Sequence, residues 1–219
     1  MPRLLFEKTG NAVWISHLDL MRLFQRAFKR AGLPLTHTQG YNPRPSVSIA
    51  LPLSVGVASC CELLDFDLDN ATLDTEAMVA RLNSALIEGV RVLQVYADGR
   101  KIRDLALLRS VITLEYDRGV PVGLVPALQS LFSAPALIVP KKTKNGIQEQ
   151  DIIPMIHDLN VRQISDNEAE LDMLACCQNP TLNPMQLVAA IDLYAKELKP
   201  SFAKCRRIEI YDTQKNVFR

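Results

Sequence analysis

Arg22, Arg26 and Arg30 recur at every fourth position of this 219-residue chain, with Lys29 beside them. On a helix that spacing stacks three guanidinium groups into one stripe. A guanidinium is a planar fork that suits two-bond contact with a phosphate, so the chemistry on offer is anion binding. The stripe lacks interleaved acids that would neutralise it. His17 falls in the first turn of the same expected helix, where backbone amides favour an anion and an imidazole can hold a phosphate or move a proton. The segment Gly40-Tyr41-Asn42-Pro43-Arg44-Pro45 follows. Its two prolines fix φ and push the residues before them to extended conformations, and Gly40 permits an unusual backbone angle. Tyr41 and Arg44 can stack on a base, and Asn42 can read a base edge. His37 stands in the same loop. The candidate RNA- or anion-binding set is therefore His17, Arg22, Arg26, Arg30, His37, Tyr41, Asn42 and Arg44. If the chain cut RNA, His17 would be its acid or base, with Tyr41 or Lys29 assisting. Each feature also has a bland counterpart: a solvated helix face, a histidine near a cap, a stiff connection.

The elements that must position these residues follow from periodicity and punctuation. A short apolar strand is expected over 3–8. A helix over 16–31 opens on Ser16-His17-Leu18-Asp19, a capping-box variant, and is stopped by Gly32 and Pro34. A loop over 33–45 leads to strands over 47–51 and 60–68, a helix over 75–88 and a strand over 90–97. The order is β-α-β-β-α-β. A polar linker over 98–104 precedes a second such series. It has a strand over 109–116, a helix over 121–132, strands over 161–165 and 168–177 turning at Asp166-Asn167, a helix over 184–198 capped by Asn183, and a strand over 205–211. Residues 134–159 read as an insertion, with the basic run KKTKNG and then DIIPMIHDL. The expected fold class is α+β, with two tandem ferredoxin-like units over 1–98 and 105–219. A single mixed α+β domain is the alternative.

Composition narrows the function classes. Hydrophobic residues make up 48% and charged residues 22% of the chain, enough to bury a core. No apolar run reaches membrane-spanning length, and the first residues lack the apolar stretch of a signal peptide, so a cytoplasmic protein without membrane contact is expected. The net charge is +1, but residues 1–48 hold seven basic against two acidic residues, a local +5. A basic surface on a near-neutral protein suits a local anionic partner rather than bulk adhesion. Cys60, Cys61, Cys176, Cys177 and Cys205 have no C-x-x-C spacing and read as small buried residues. No metal site, cofactor motif or phosphate-binding glycine loop is expected. Glu62 is placed to pair with an arginine of the stripe.

These same residues carry a resemblance. The run ISHLDLMRLFQRAFKRAGLP, then TQGYNPRPSVSIALPLSVGVAS and Glu62, is similar to the radical-SAM-linked protein family. That is a domain of unknown function found downstream of, or fused to, B12-binding-type radical SAM proteins. The likeness is dense over the first hundred residues and looser through KKTKNG, DIIPMI and RRIEIY. It implies a radical SAM protein encoded nearby as partner and an RNA or ribosome context, and it supplies no reaction. The chain itself lacks a C-x-x-x-C-x-x-C cluster motif. The expected function is a non-catalytic accessory module that binds RNA or docks the radical SAM partner. The alternatives are a metal-independent endoribonuclease-like enzyme and a pure protein-docking scaffold.

Overall fold

The computed structural model describes residues 1–69, 74–143 and 146–219, the side chains of 142 and 143 apart. The chain is an α+β protein that divides into two compact units, Met1–Asp104 with Val217–Arg219, and Leu105–Asn216.

The first unit runs β1 (Arg3–Lys8), α1 (His17–Arg30), β2 (Val47–Ile49), β3 (Ala58–Phe66), α2 (Thr75–Ala85) and β4 (Val90–Tyr96). Its strands lie in the order β4-β1-β3-β2, every pair antiparallel. Helix α1 forms because Leu20, Phe24, Ala27 and Phe28 share one face, and all four are buried. Phe24 meets Phe6 of β1 edge to face, with ring centroids 4.7 Å apart, and Phe28 lies 5.1 Å from Phe66 of β3. Truncating a ring so placed costs about 3–5 kcal/mol. The helix stops where Gly32 turns left-handed, at φ +64. There the Leu33 amide donates to the Phe28 carbonyl and the Gly32 amide to that of Lys29, at 2.9 and 3.1 Å, a complete Schellman motif. On the other sheet face Arg3 makes a two-bond pair with Asp65, at 2.6 and 3.0 Å. Arg3 and Arg100 lie over the ring of Phe218, which ties the last three residues to this unit.

The second unit runs β5 (Leu105–Glu115), α3 (Leu124–Phe132), β6 (Ile138–Thr143), β7 (Gly146–Asp151), β8 (Ile156–Gln163), β9 (Glu168–Cys176), α4 (Met185–Tyr194) and β10 (Phe202–Asp212). Its main sheet has the order β10-β5-β9-β8, again antiparallel throughout. Strands β6 and β7 form a separate hairpin. The expected insertion over 134–159 is therefore a hairpin plus the first half of β8. The strand expected over 161–165 begins at Ile156 because its backbone pairs with β9 from there on. Lys144 and Asn145 of the KKTKNG run lie outside the described residues. Helix α4 is shorter than expected, closing in a 3-10 turn over Lys196–Leu198. The Asn183 side chain does cap it, accepting from the Met185 amide at 3.1 Å.

Candidate functional site

The candidate site lies in the first unit and is built on a buried charge. Lys8 and Glu62 are each 1% exposed. Phe6 pairs with Glu62 across β1 and β3, so the carboxylate shares the sheet face that α1 covers. Burial lowers the Lys8 pKa below the ordinary lysine value, and the negative charge of Glu62 pulls it back up. Lys8 is thus one cation that feels the charge of Glu62. Lys8 Nζ donates to the carbonyls of Val13 and Ile15, at 3.1 and 2.8 Å. The Gly56 amide donates to the same Val13 carbonyl at 2.9 Å. These three bonds fix the 3-10 turn Gly10–Trp14 and so the place where α1 starts.

Ser16 then caps α1, its Oγ accepting from the Asp19 amide at 3.2 Å and donating to Asp19 Oδ2 at 2.7 Å. Asp19 therefore binds the Ser16 hydroxyl rather than reaching back to the Ser16 amide. Its other oxygen takes Arg22 at 3.0 Å. The Ser16 hydroxyl first, and Arg22 second, hold the Asp19 carboxyl below the usual range. His17 is the first helical residue, half-buried, and its Nδ1 is buried without a hydrogen-bond partner among the described residues.

The stripe is one surface with three different commitments. Arg22 is held by Asp19, so one acid does neutralise the stripe at its start. Arg30 donates to the Ala85 carbonyl at the end of α2. Arg26 has no protein partner among the described residues. Arg81 of α2 returns the contact of Arg30: its Nε donates to the Ala31 carbonyl at 2.8 Å and its terminal nitrogen to that of Gly32 at 3.0 Å. Each helix thus sends one arginine to the carbonyl end of the other. Arg22, Arg26 and Arg30 line a cavity of about 450 Å³ together with Asp19, Ile15, Leu23 and Ile87.

The loop after α1 is a clasp. The Thr38 amide donates to the Arg44 carbonyl at 2.8 Å, the Arg44 amide to Thr38 Oγ1 at 3.1 Å, and His37 bridges to Pro45. Tyr41 and Asn42 stand exposed at its tip. His37 lines a second cavity of about 440 Å³ with Gln25, Lys29 and Leu33, at the far end of α1 from His17. The two histidines do not converge. His17 and Lys29 are twelve residues apart on one helix, roughly 18 Å along its axis, so Lys29 does not assist His17.

Three residues escaped the sequence reading. Lys8 and Arg81 needed strand register and helix contacts to be seen. Trp14 is the chain's single tryptophan and is 64% exposed.

No curated protein sequence matches the chain. Among solved structures it is similar to a chain of the crystal structure of a Cbf5-Nop10-Gar1 complex, at 9% identity and a TM-score of 0.53. That likeness, one of fold, covers 95% of this chain and 48% of the other, so this chain spans about half that chain's length. The crystal structure of an unknown protein from Galdieria sulphuraria matches over 94% of this chain and 96% of its own, at 12% identity and a TM-score of 0.26. A family model described as "Uncharacterized protein conserved in bacteria (DUF2344)" matches residues 2–184, and the chain belongs to that family.

Proposed function

We propose that this protein is a non-catalytic module that binds RNA through its first unit. The observation that carries the reading is the cavity lined by Arg22, Arg26 and Arg30 beside Ile15, Leu23 and Ile87, three cations against the single acid Asp19. Guanidinium groups beside apolar surface suit a polymer of phosphates and flat bases. The clasped loop presents Tyr41, Asn42 and Arg44 at low entropic cost, and His37 and Lys29 line a second, mostly apolar pocket with Leu33, Leu35 and Pro45. Binding is favoured over cutting because His17 Nδ1 has no hydrogen-bond partner among the described residues and Lys29 stands roughly 18 Å away along the helix axis. The units are read as tandem ferredoxin-like units, since each gives the β-α-β-β-α-β order once the β6–β7 hairpin is set aside. The resemblance in the first hundred residues supplies the setting: a cytoplasmic partner of a radical SAM protein that acts on RNA.

The test is the triple change Arg22→Ala, Arg26→Ala and Arg44→Ala. RNA binding should weaken, and the slope of log affinity against log salt should flatten by about 2, at roughly 0.7 per lost phosphate contact. Affinity and slope unchanged in a folded triple variant would remove the proposal. In that case, copurification of a radical SAM protein that is lost on loop mutation and insensitive to ribonuclease would establish docking instead.

A further inference from the structure

The second cavity of the first unit, about 440 Å³, has walls that are already built. On one side stand Gln25 and Lys29, one turn apart on α1 and so on one face of it. On the other side the chain from Pro34 to His37 runs as an extra strand. The Asp69 amide donates to the Pro34 carbonyl at 2.9 Å, the Thr36 amide to the Asp67 carbonyl at 3.0 Å and the Ser46 amide to the Thr36 carbonyl at 2.8 Å. Leu35 and His37 alternate with Thr36, so both side chains leave the same face of that strand, and both line the cavity. Leu33, 4% exposed, and Pro45 complete it. Leu33 is buried whereas Lys29 and His37 are exposed, so the apolar side lies inward and the cation and imidazole stand at the mouth. The side chains of Gln25, Lys29 and His37 make no hydrogen bond or ion pair among the described residues.

We propose that this cavity takes one nucleotide, base inward and phosphate at Lys29, so that the RNA bound by the first unit is unpaired at that point. The proposal rests on the RNA-binding reading of this unit and names the part of the RNA that is recognised. The volume is in the range that holds a small ligand. Apolar walls suit a flat ring and reject bare phosphate, while the three polar groups reject plain hydrocarbon. The Gln25 amide offers a donor and an acceptor together, and an imidazole in its neutral form does the same, which is the pattern that a base edge answers. Lys29 supplies a point charge for the phosphate that follows the base. In a duplex the base faces are stacked and the pairing edges are taken, so only an unpaired base enters. A free nucleotide has the same chemistry, so the test carries one arm for each source.

The chain has three histidines, so its imidazole proton resonances are few enough to follow one by one. His37→Gln removes one of them and thereby assigns it. Of uridine and adenosine 5′-monophosphate, titrated into the millimolar range at constant pH, at least one should shift the His37 resonance to saturation and leave that of His157, in the second unit, unmoved. A single-stranded oligonucleotide of the same base, about a dozen nucleotides long, should shift it the same way, and a duplex of equal length should not. Lys29→Ala should weaken mononucleotide binding about tenfold, the loss of one charge-assisted bond. A His37 resonance unmoved by both mononucleotides, with the oligonucleotide bound by anisotropy, would overturn this inference and leave RNA binding standing. An equal shift with inorganic phosphate or ribose 5-phosphate, which have no base, would overturn it as well, and an equal shift with the duplex would overturn the unpaired state. A shift with a mononucleotide and no binding of the oligonucleotide would overturn the RNA reading and assign the cavity to free nucleotides.

Discussion

Arg26 and Arg30 stand one turn apart on the same face of α1 and answer to different demands. Arg30 spends its guanidinium on the Ala85 carbonyl, whereas Arg26 has no protein partner among the described residues. Arg26→Ala should lower RNA affinity severalfold with the melting temperature unchanged. Arg30→Ala should instead lower the melting temperature by a few degrees, since a charge-assisted bond at a helix end contributes about 1 kcal/mol. Melts and binding isotherms on the two variants separate the roles. Beneath them, Lys8 is buried and holds the Val13 and Ile15 carbonyls. Lys8→Met removes both bonds and should cost about 2–3 kcal/mol, since a hydrogen bond from a charged donor contributes about 1.5–3 kcal/mol. A Lys8→Met variant as stable as wild type in denaturant unfolding would show that the turn before α1 does not depend on Lys8.

Helices α1 and α2 are locked end to end by Arg30 and Arg81, and the lock depends on Gly32. With φ at +64, and Arg81 only 2.9 Å from where a Cβ would sit, Gly32 has no ordinary substitute. Gly32→Ala should cost about 1–2 kcal/mol, from the left-handed angle and from displacing Arg81 off the Ala31 and Gly32 carbonyls. Arg81→Ala in the Gly32→Ala background should cost less than in wild type, which a double-mutant cycle would read. This element is also where the sequence spoke most clearly. Ser16, the spacing of Leu20, Phe24 and Phe28, and Gly32 before Pro34 are local signals, and local signals set helix ends. Strand β8 was illegible for the opposite reason. Only Val161 of its eight residues is buried, so its alternation is faint and its extent is set by pairing with β9. The stripe's spacing was visible, and the acid at its head, Asp19, is a local neighbour three residues before Arg22; only the carbonyl at its foot comes from tertiary contact. Trp14 passed unremarked because exposure is a property of the fold, not of the residue.

Across the whole molecule the charge nearly cancels, so stability against alkali is decided by a few buried groups rather than by net charge. Burial pushes the Cys177 thiol up to about 12, the Cys205 thiol up to about 11 and the Tyr116 hydroxyl up to about 12. Each holds its proton in the folded chain at pH values where the unfolded chain has released it. Their contribution is full below the unfolded values, near 9 for the thiols and 10 for the hydroxyl, and is lost as pH rises through the folded ones. Lys8 works in the opposite sense. Its lowered pKa means the unfolded chain binds the extra proton, so its burden on the fold lightens as pH climbs toward the ordinary lysine value of 10.5. Three groups pull down and one pulls up, so the melting temperature should fall between about pH 9 and 11. Under reducing conditions Cys177→Ala with Cys205→Ala should flatten that fall, and Tyr116→Phe should remove part of what is left. A wild-type melting temperature that stays level over this range would mean that the thiols are already open to solvent in the folded chain, and their burial in the second unit would then be the wrong account of alkaline stability.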